Sequence, residues 1–260
     1  MHVNSPRPFP ADRTMVVTGA ASERGIGRAL AARAARGGWS VAVLDINGPA
    51  AKKTAVALAE EYGCACVGIG MNVADEDSVD AAITQVEAAL PPVVGLANVA
   101  GISSPTPFLE LDTAEWDRVF AVNIRGVYFV TRRLVPGMVS RGLGRVVSVS
   151  SASAQRGGGT YSKVPYSASK AAVLGMTRAL AREVGQFGVT VNAVSPGPID
   201  TDIMGGQLSE QRKAELIADL IVDRLGTVDD VAALMEFLLG PDSGYVSGAT
   251  YNVNGGLIVD

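Results

Sequence analysis

The chain has 260 residues, 48% of them hydrophobic and 18% charged, with a formal net charge of −4. That length holds one large α/β domain or two small ones, and the composition is that of a globular protein with a sizeable core. The charge balance gives no footprint for nucleic acid, and no apolar run approaches the roughly 18 residues of a membrane span, so neither is an expected partner.

The only histidine is His2. That removes a Ser-His-Asp arrangement and the common His-containing zinc sites. No metal centre is expected, and the chemistry falls to Tyr, Lys, Ser, Asp, Glu, Arg or a bound cofactor. Residues 1–13 carry Pro6, Pro8 and Pro10 without an apolar h-region, which reads as a flexible tail and not a secretory signal. Residues 14–260 read as one domain. Cys64 and Cys66 alternate on one face of a strand, and as reduced thiols they suggest a cytoplasmic location.

Met15-Val16-Val17-Thr18 is a short buried strand. It runs into Gly19-Ala20-Ala21-Ser22-Glu23-Arg24-Gly25-Ile26-Gly27, then a helical Ala/Leu pattern to Gly37. Strand, glycine turn and helix form the setting in which backbone N–H groups receive phosphate. Val41-Ala42-Val43-Leu44 is a second strand, closed by Asp45. An acid there, about 20 residues past the glycine turn, can accept from ribose hydroxyls and repel a 2′-phosphate, which favours NAD over NADP. Arg24, in the turn, argues the other way. Asp45 as cap of the next helix is the structural alternative.

Helix follows from Ala50 to Tyr62, a third strand from Cys66 to Met71, then Asn72-Val73, and a helix from an Asp75 cap to Ala89. Val93 to Ala97 is a fourth strand, ending in Asn98-Val99-Ala100-Gly101. An amphipathic helix from Glu115 to about Ser140 carries Asn123, and Arg145 to Ser151 is a fifth strand. After a loop containing Gly157-Gly158-Gly159, a helix from Tyr166 to about Phe187 places Tyr166 and Lys170 on one face. An ammonium beside a phenol favours the phenolate, so Lys170 is expected to lower the Tyr166 pKa. Val189 to Ser195 is a sixth strand, closed by Pro196-Gly197-Pro198. The alternation predicts a single doubly wound, Rossmann-like parallel sheet with helices on both faces. Gly19, Asp45, Asn72, Asn98, Ser151 and Pro196 then converge at the strand ends where ligands bind.

These motifs, in this order, resemble the short-chain dehydrogenase/reductase superfamily, single-domain type, over nearly the whole chain. The resemblance rests on Thr18-Gly19 with Gly25-Ile26-Gly27, Asp45, Asn98-Val99-Ala100-Gly101, Asn123, Ser150-Ser151, Tyr166 with Lys170, Pro196-Gly197 with Thr201, Arg224-Leu225-Gly226, Ser247-Gly248 and Asn254-Gly255-Gly256. Three departures stand out. Five residues separate Gly19 from Gly25 where the family usually has three, so the turn should bulge near Ser22-Glu23. Asn72 stands where Asp is frequent, and Val99 replaces an Asn.

The resemblance implies a nicotinamide cofactor and a catalytic set of Asn123, Ser151, Tyr166 and Lys170. Family spacing would choose Ser153 as the serine; the strand end chooses Ser151, because a strand fixes a side chain while loop length varies. Tyr166 would act as acid or base, Lys170 would also hold the ribose, and Asn123 would shape its helix and hold a water. The cofactor would lie against Gly19, Ser22, Arg24, Gly25, Ile26 and Gly27, then Asp45 and Ile46, then Asn72 and Val73. Beyond these it would meet Asn98, Ala100 and Gly101, Tyr166 and Lys170, and finally Pro196, Gly197, Ile199 and Thr201. NAD is the expected cofactor and NADP the alternative.

The expected reaction is hydride exchange with a secondary alcohol or ketone, such as a small polar alcohol, polyol or sugar. The alternatives are reduction of a 3-oxoacyl thioester and, in another class, a non-catalytic nucleotide-binding regulator, against which the intact Asn, Ser, Tyr and Lys set argues. The segment from Asp202 to Leu220 should cover the substrate, hinged at Gly205-Gly206. Tyr161, Gln155, Arg156 and Phe108 are candidate substrate contacts. The resemblance also suggests a homotetramer.

Overall fold

A computed structural model describes residues 8–204, 206 and 208–259. The elements run β1 (Thr14–Thr18), α1 (Ile26–Arg36), β2 (Ser40–Asp45), α2 (Gly48–Tyr62), β3 (Cys66–Gly70), α3 (Glu76–Ala89), β4 (Val93–Asn98), α4 (Thr113–Phe120) and α5 (Gly126–Arg141). They continue with β5 (Gly144–Val149), α6 (Ser153–Arg156), α7 (Val164–Val184), β6 (Val189–Pro196), α8 (Glu210–Ile217), α9 (Val228–Leu239) and β7 (Thr250–Val253). The strands form one parallel sheet in the order β3-β2-β1-β4-β5-β6-β7.

Alternation along each strand divides the core into two layers. Met15 and Val17 face Leu30 and Ala34 of α1, Ala51 of α2 and Met235 of α9. Val16 between them faces the other way, toward Ile83 of α3 and Leu134 and Met138 of α5. Burial on both faces is why the strands read as nearly unbroken apolar runs. The sheet splits at β1, whose neighbours are β2 on one side and β4 on the other. A crevice opens at the carboxyl ends of strands at such a switch point.

The local signals hold in several places. Asp75 caps α3, accepting from the N–H groups of Asp77 and Ser78. Cys64 and Cys66 lie on one side with their sulfurs 3.4 Å apart, both as thiols, and burial pushes Cys66 up to about 12. Asp45 does not cap α2; Asn47 does, accepting from the Ala50 N–H.

Three features differ from the sequence expectation. Of the expected tail, residues 1–7 lie outside the described residues, whereas Phe9 packs edge-on against Trp39 at 5.6 Å and the Arg13 guanidinium sits 4.6 Å from the Trp39 ring. One aromatic and one cation anchor what proline content alone made look loose. The long helix around Asn123 is α4 and α5 joined by a π-helical turn, Ala121–Arg125. Strand β7 had no clear signal, because Thr250-Tyr251-Asn252-Val253 is short and only partly buried; it is fixed by pairing with β6.

Helix α2 lies so close to the sheet that a Cβ on Gly68 of β3 would stand 2.2 Å from the Ala51 carbonyl oxygen. Gly68→Ala should therefore force α2 away from β2 and β3, at a cost of about 1–3 kcal/mol. Urea unfolding should show a lower midpoint at unchanged slope. An unchanged midpoint would mean that the helix can yield without loss.

Candidate active site

The site starts where β1 and β4 end. Thr18 Oγ1 accepts the N–H groups of Val99 (3.0 Å) and Ala100 (3.1 Å), joining the two strand ends. Gly19 follows at φ +65°, and a Cβ there would lie 2.7 Å from the Ala100 Cα. Only glycine fits a left-handed turn pressed against another backbone. The Gly25 N–H closes the turn on the Ser22 carbonyl (3.0 Å), so the two extra residues form the expected bulge. Helix α1 then begins without a side-chain cap or an acidic residue in its first turn. By contrast α2, α3, α4, α8 and α9 are capped by Asn47, Asp75, Asp112, Ser209 and Thr227. The α1 N-terminus keeps its N–H groups for an anion.

A cleft of about 910 Å³ runs from this turn across the strand ends. That is the upper end of the volume of ordinary small-molecule sites. Gly19, Ser22, Gly25, Ile26, Asp45, Ile46, Asn72, Val73, Ala100 and Gly101 line one half. Ser151, Tyr166, Lys170, Pro196, Gly197, Ile199 and Thr201 line the other. Asp45 accepts from the Ala21 N–H (3.0 Å) and the Asn47 N–H (3.0 Å), which aims its carboxylate at the turn. The residues therefore fit a dinucleotide: an uncapped helix end for the phosphates and an acid at the second strand end for a ribose.

Four of the expected site residues do not line the cleft. Asn98 turns inward and donates to Thr131 Oγ1 (3.0 Å) and Ser148 Oγ (3.2 Å), tying β4 to α5 and β5. Gly27 lies beneath the turn, where a Cβ would meet the Gly19 carbonyl oxygen at 2.5 Å. Arg24 is not among the residues that line the cleft and pairs with Asp200 and Asp202. Asn123 is fully buried behind the cleft. Its Oδ1 accepts the Ile102 N–H (2.8 Å), and its Nδ2 donates to the Ile102 carbonyl (2.9 Å) and Ser169 Oγ (3.1 Å). It thus fastens the π-helical turn to the β4 loop and to α7.

Tyr166 and Lys170 sit one turn apart on α7, both buried. Lys170 Nζ donates to the Val149 carbonyl (2.8 Å) at the end of β5. It lies beside Gly101, where a Cβ would stand 3.3 Å from Nζ. Ser151 is hydrogen-bonded to the Tyr166 hydroxyl. Ser153 lies at the start of α6 and donates its N–H to Ser151 Oγ (3.1 Å), so its own backbone helps to hold Ser151.

The Tyr166 pKa is raised, where the sequence led to the expectation that it is lowered. Burial raises the Tyr166 pKa, and the Ser151 hydrogen bond offsets only part of that. Burial also pushes Lys170 down to about 8. The ammonium lies 5.8 Å from the ring centroid and donates to a carbonyl. Desolvation of two enclosed groups outweighs their mutual effect.

Of the expected substrate contacts, Arg156 and Tyr161 line the cleft; Gln155 does not, and Phe108 is 65% exposed and outside it. Ile102, Val122, Ile203 and Leu216 also line it. They come from a loop, the π-helical turn and, for Ile203 and Leu216, the covering segment, and carry no motif that would mark them. The covering segment is in place: Arg156 pairs with Asp219 (2.8 Å), and Arg212 donates to Thr160 Oγ1 (2.7 Å). Of the expected hinge, Gly205 lies outside the described residues and Gly206 has φ +124°.

A family model described as enoyl-(acyl carrier protein) reductase matches residues 19–258. The chain is 42% identical, over 95% of its length and 98% of the relative, to an uncharacterized short-chain type dehydrogenase/reductase of Sinorhizobium fredii. Among solved structures it is similar to a 3-oxoacyl-[acyl-carrier protein] reductase from Brucella melitensis (TM-score 0.89, 31% identity, all of both chains). It is also similar to a blue fluorescent protein from a metagenomic library in complex with NADPH (TM-score 0.86, 36% identity, 95% of this chain and 98% of that one).

The buried lysine makes stability depend on pH. Its folded pKa of about 8 lies below the unfolded value of about 10.4. Below pH 8 both states hold the proton and the full penalty stands. Between about pH 8 and 10.4 the unfolded state holds more protons, so stability from this group rises with pH. Tyr166, raised in the folded state, has the opposite effect only above about pH 10. The stability gap between Lys170→Met and wild type should therefore shrink by about 1–2 kcal/mol from pH 7 to pH 9.5. Urea unfolding at the two pH values reads it, and an unchanged gap would mean that Lys170 titrates normally.

Proposed function

The chain belongs to the short-chain dehydrogenase/reductase family, and within it we propose that this protein reduces the ketone of a 3-oxoacyl thioester. As a member of that family it is an oxidoreductase that takes a nicotinamide cofactor. One observation carries the finer reading: the hydrogen-bonded hydroxyls of Ser151 and Tyr166 face a cleft with apolar walls at Ile102, Val122, Ile203 and Leu216. A polyol or sugar would set some of its hydroxyls against those walls, where burial without a partner is costly. An acyl chain suits them, and the Brucella melitensis structure carries a 3-oxoacyl reductase name.

A reduced nicotinamide held along the cleft from Gly19 and Asp45 to Lys170 and Thr201 would supply the hydride for the carbonyl carbon. Tyr166, kept protonated by burial, gives its hydroxyl proton to the carbonyl oxygen as charge develops there. Ser151 donates a second hydrogen bond to that oxygen. Lys170, when charged, stabilises the phenolate left behind, and in the reverse direction the same phenolate accepts the proton. Asn123, through Ile102 and Ser169, keeps α7 and the β4 loop in register. NADH is the proposed cofactor, since Asp45 brings a carboxylate to the ribose end and Arg24 is engaged elsewhere; the neighbour that holds NADPH supports the other choice. A homotetramer is part of the same reading, supported by the exposed Tyr128 on α5 and Phe237 on α9, and sedimentation velocity tests it.

The test follows reduced nicotinamide by absorbance with acetoacetyl-CoA, crotonyl-CoA and a panel of small ketoses, each with NADH and NADPH. Acetoacetyl-CoA with NADH should be preferred. Preference for a ketose would restore the small-alcohol reading, and preference for crotonyl-CoA would assign an enoyl reductase. Tyr166→Phe should lower kcat by about 10²–10⁴-fold, with the dissociation constant for NADH changed by less than about twofold. Ser151→Ala should lower kcat about 10²-fold and Ser153→Ala far less. Tight cofactor binding without any turnover would point to the regulator.

A further inference from the structure

The phosphate turn is fastened to the covering segment by a small charged cluster. Ser22 Oγ donates to Asp202 Oδ2 (2.6 Å). Arg24 pairs with Asp200 and, at 3.5 Å, with Asp202. Asp200 also accepts the Leu208 N–H (3.4 Å), and Lys213 Nζ lies 3.9 Å from it. The Arg24, Asp200 and Asp202 side chains are 35%, 25% and 50% exposed, so the cluster is solvated enough to exchange partners.

The position of Arg24 gives the cluster a consequence. Asp45, the acid at the ribose end, holds the N–H of Ala21. Arg24 is three residues further along the same turn, and a guanidinium on so short a tether can reach a group beside Asp45. A 2′-phosphate there would be repelled by Asp45 and attracted by Arg24. Asp200, just before the covering segment, and Asp202, at its start, decide which influence acts, because they already occupy the guanidinium.

We propose that Asp200 and Asp202 are specificity-determining residues, which hold Arg24 on the covering segment and so disfavour a cofactor with a ribose 2′-phosphate. The proposal rests on the reading of the cleft as a nicotinamide dinucleotide site. Choice of cofactor and closure of the segment then become one equilibrium. A 2′-phosphate that recruits Arg24 removes a tether from the segment, whereas a plain ribose leaves the tether in place.

The test measures calorimetric binding of adenosine 2′,5′-bisphosphate and of 5′-AMP to the full chain, alongside kcat/KM for NADPH and NADH. The double variant Asp200→Asn with Asp202→Asn should bind the bisphosphate about tenfold more tightly relative to AMP, with a similar rise in the NADPH to NADH ratio. Adding Arg24→Ala should cancel the gain. Asp219→Asn, which removes a charge from the same segment but not from this cluster, should leave the ratio unchanged. An unchanged ratio in the double variant overturns the proposal. So does a gain that survives Arg24→Ala or appears equally in Asp219→Asn. Failure of the wild type to bind either nucleotide or either dinucleotide would instead overturn the underlying nicotinamide reading.

Discussion

Burying an ammonium without a carboxylate beside it is the constraint around which this site is arranged. Lys170 is 3% exposed, and its hydrogen bond goes to the main chain, the Val149 carbonyl. Such a group costs several kcal/mol unless it loses its proton or finds a partner. Its surroundings hold it in place all the same. Ser150 Oγ donates to the Lys170 carbonyl, Gly101 leaves room for the ammonium, and Asn123 fixes the loop that carries Gly101. The position is unfavourable for stability and useful for chemistry, because a group poised near pH 8 answers to any charge that enters beside it.

The same enclosure keeps Tyr166 protonated. A phenol that stays neutral until substrate and cofactor arrive is a proton donor held ready, and the Ser151 hydroxyl beside it fixes its direction. The sequence suggested a lysine that activates the tyrosine directly. In the structure both groups are governed first by loss of water, and their mutual effect is secondary.

The strand ends were legible in the sequence because parallel strands buried on both faces leave apolar runs, and the residue after each run marks where the chain leaves the sheet. Gly19, Asp45, Asn72, Ser151 and Pro196 could be placed on that basis alone. Asn98 sits at such an end too, but periodicity does not say which way a strand-end side chain turns, and it turned inward to Thr131 and Ser148. Arg24 was legible as a cation in a phosphate turn. Its partners are about 180 residues away on the covering segment, and no local pattern announces a contact of that range. Strand β7 and the apolar wall were hidden for a related reason: pairing with β6 and the meeting of three separate segments create them.

The covering segment and the body of the protein are stabilised by different physics. Helix α9 buries Val231, Ala232, Met235, Leu238 and Leu239 and starts with a capping box, so it belongs to the core. Helix α8, about twenty residues earlier, has no buried residue. It is tied down by Arg212 to Thr160, and its surroundings by Arg156 to Asp219 and Arg24 to Asp200. Solvated pairs of this kind are individually worth little, and a segment held largely by them, with Leu208 as its one buried apolar side chain among the described residues, opens at smaller cost than the sheet. A cover over a reaction cleft needs that property, since it must exclude water during proton transfer and release product afterwards. Ion pairs to the cofactor turn, added to the packing of Leu208, are the contacts on which the charge of a bound group would act first.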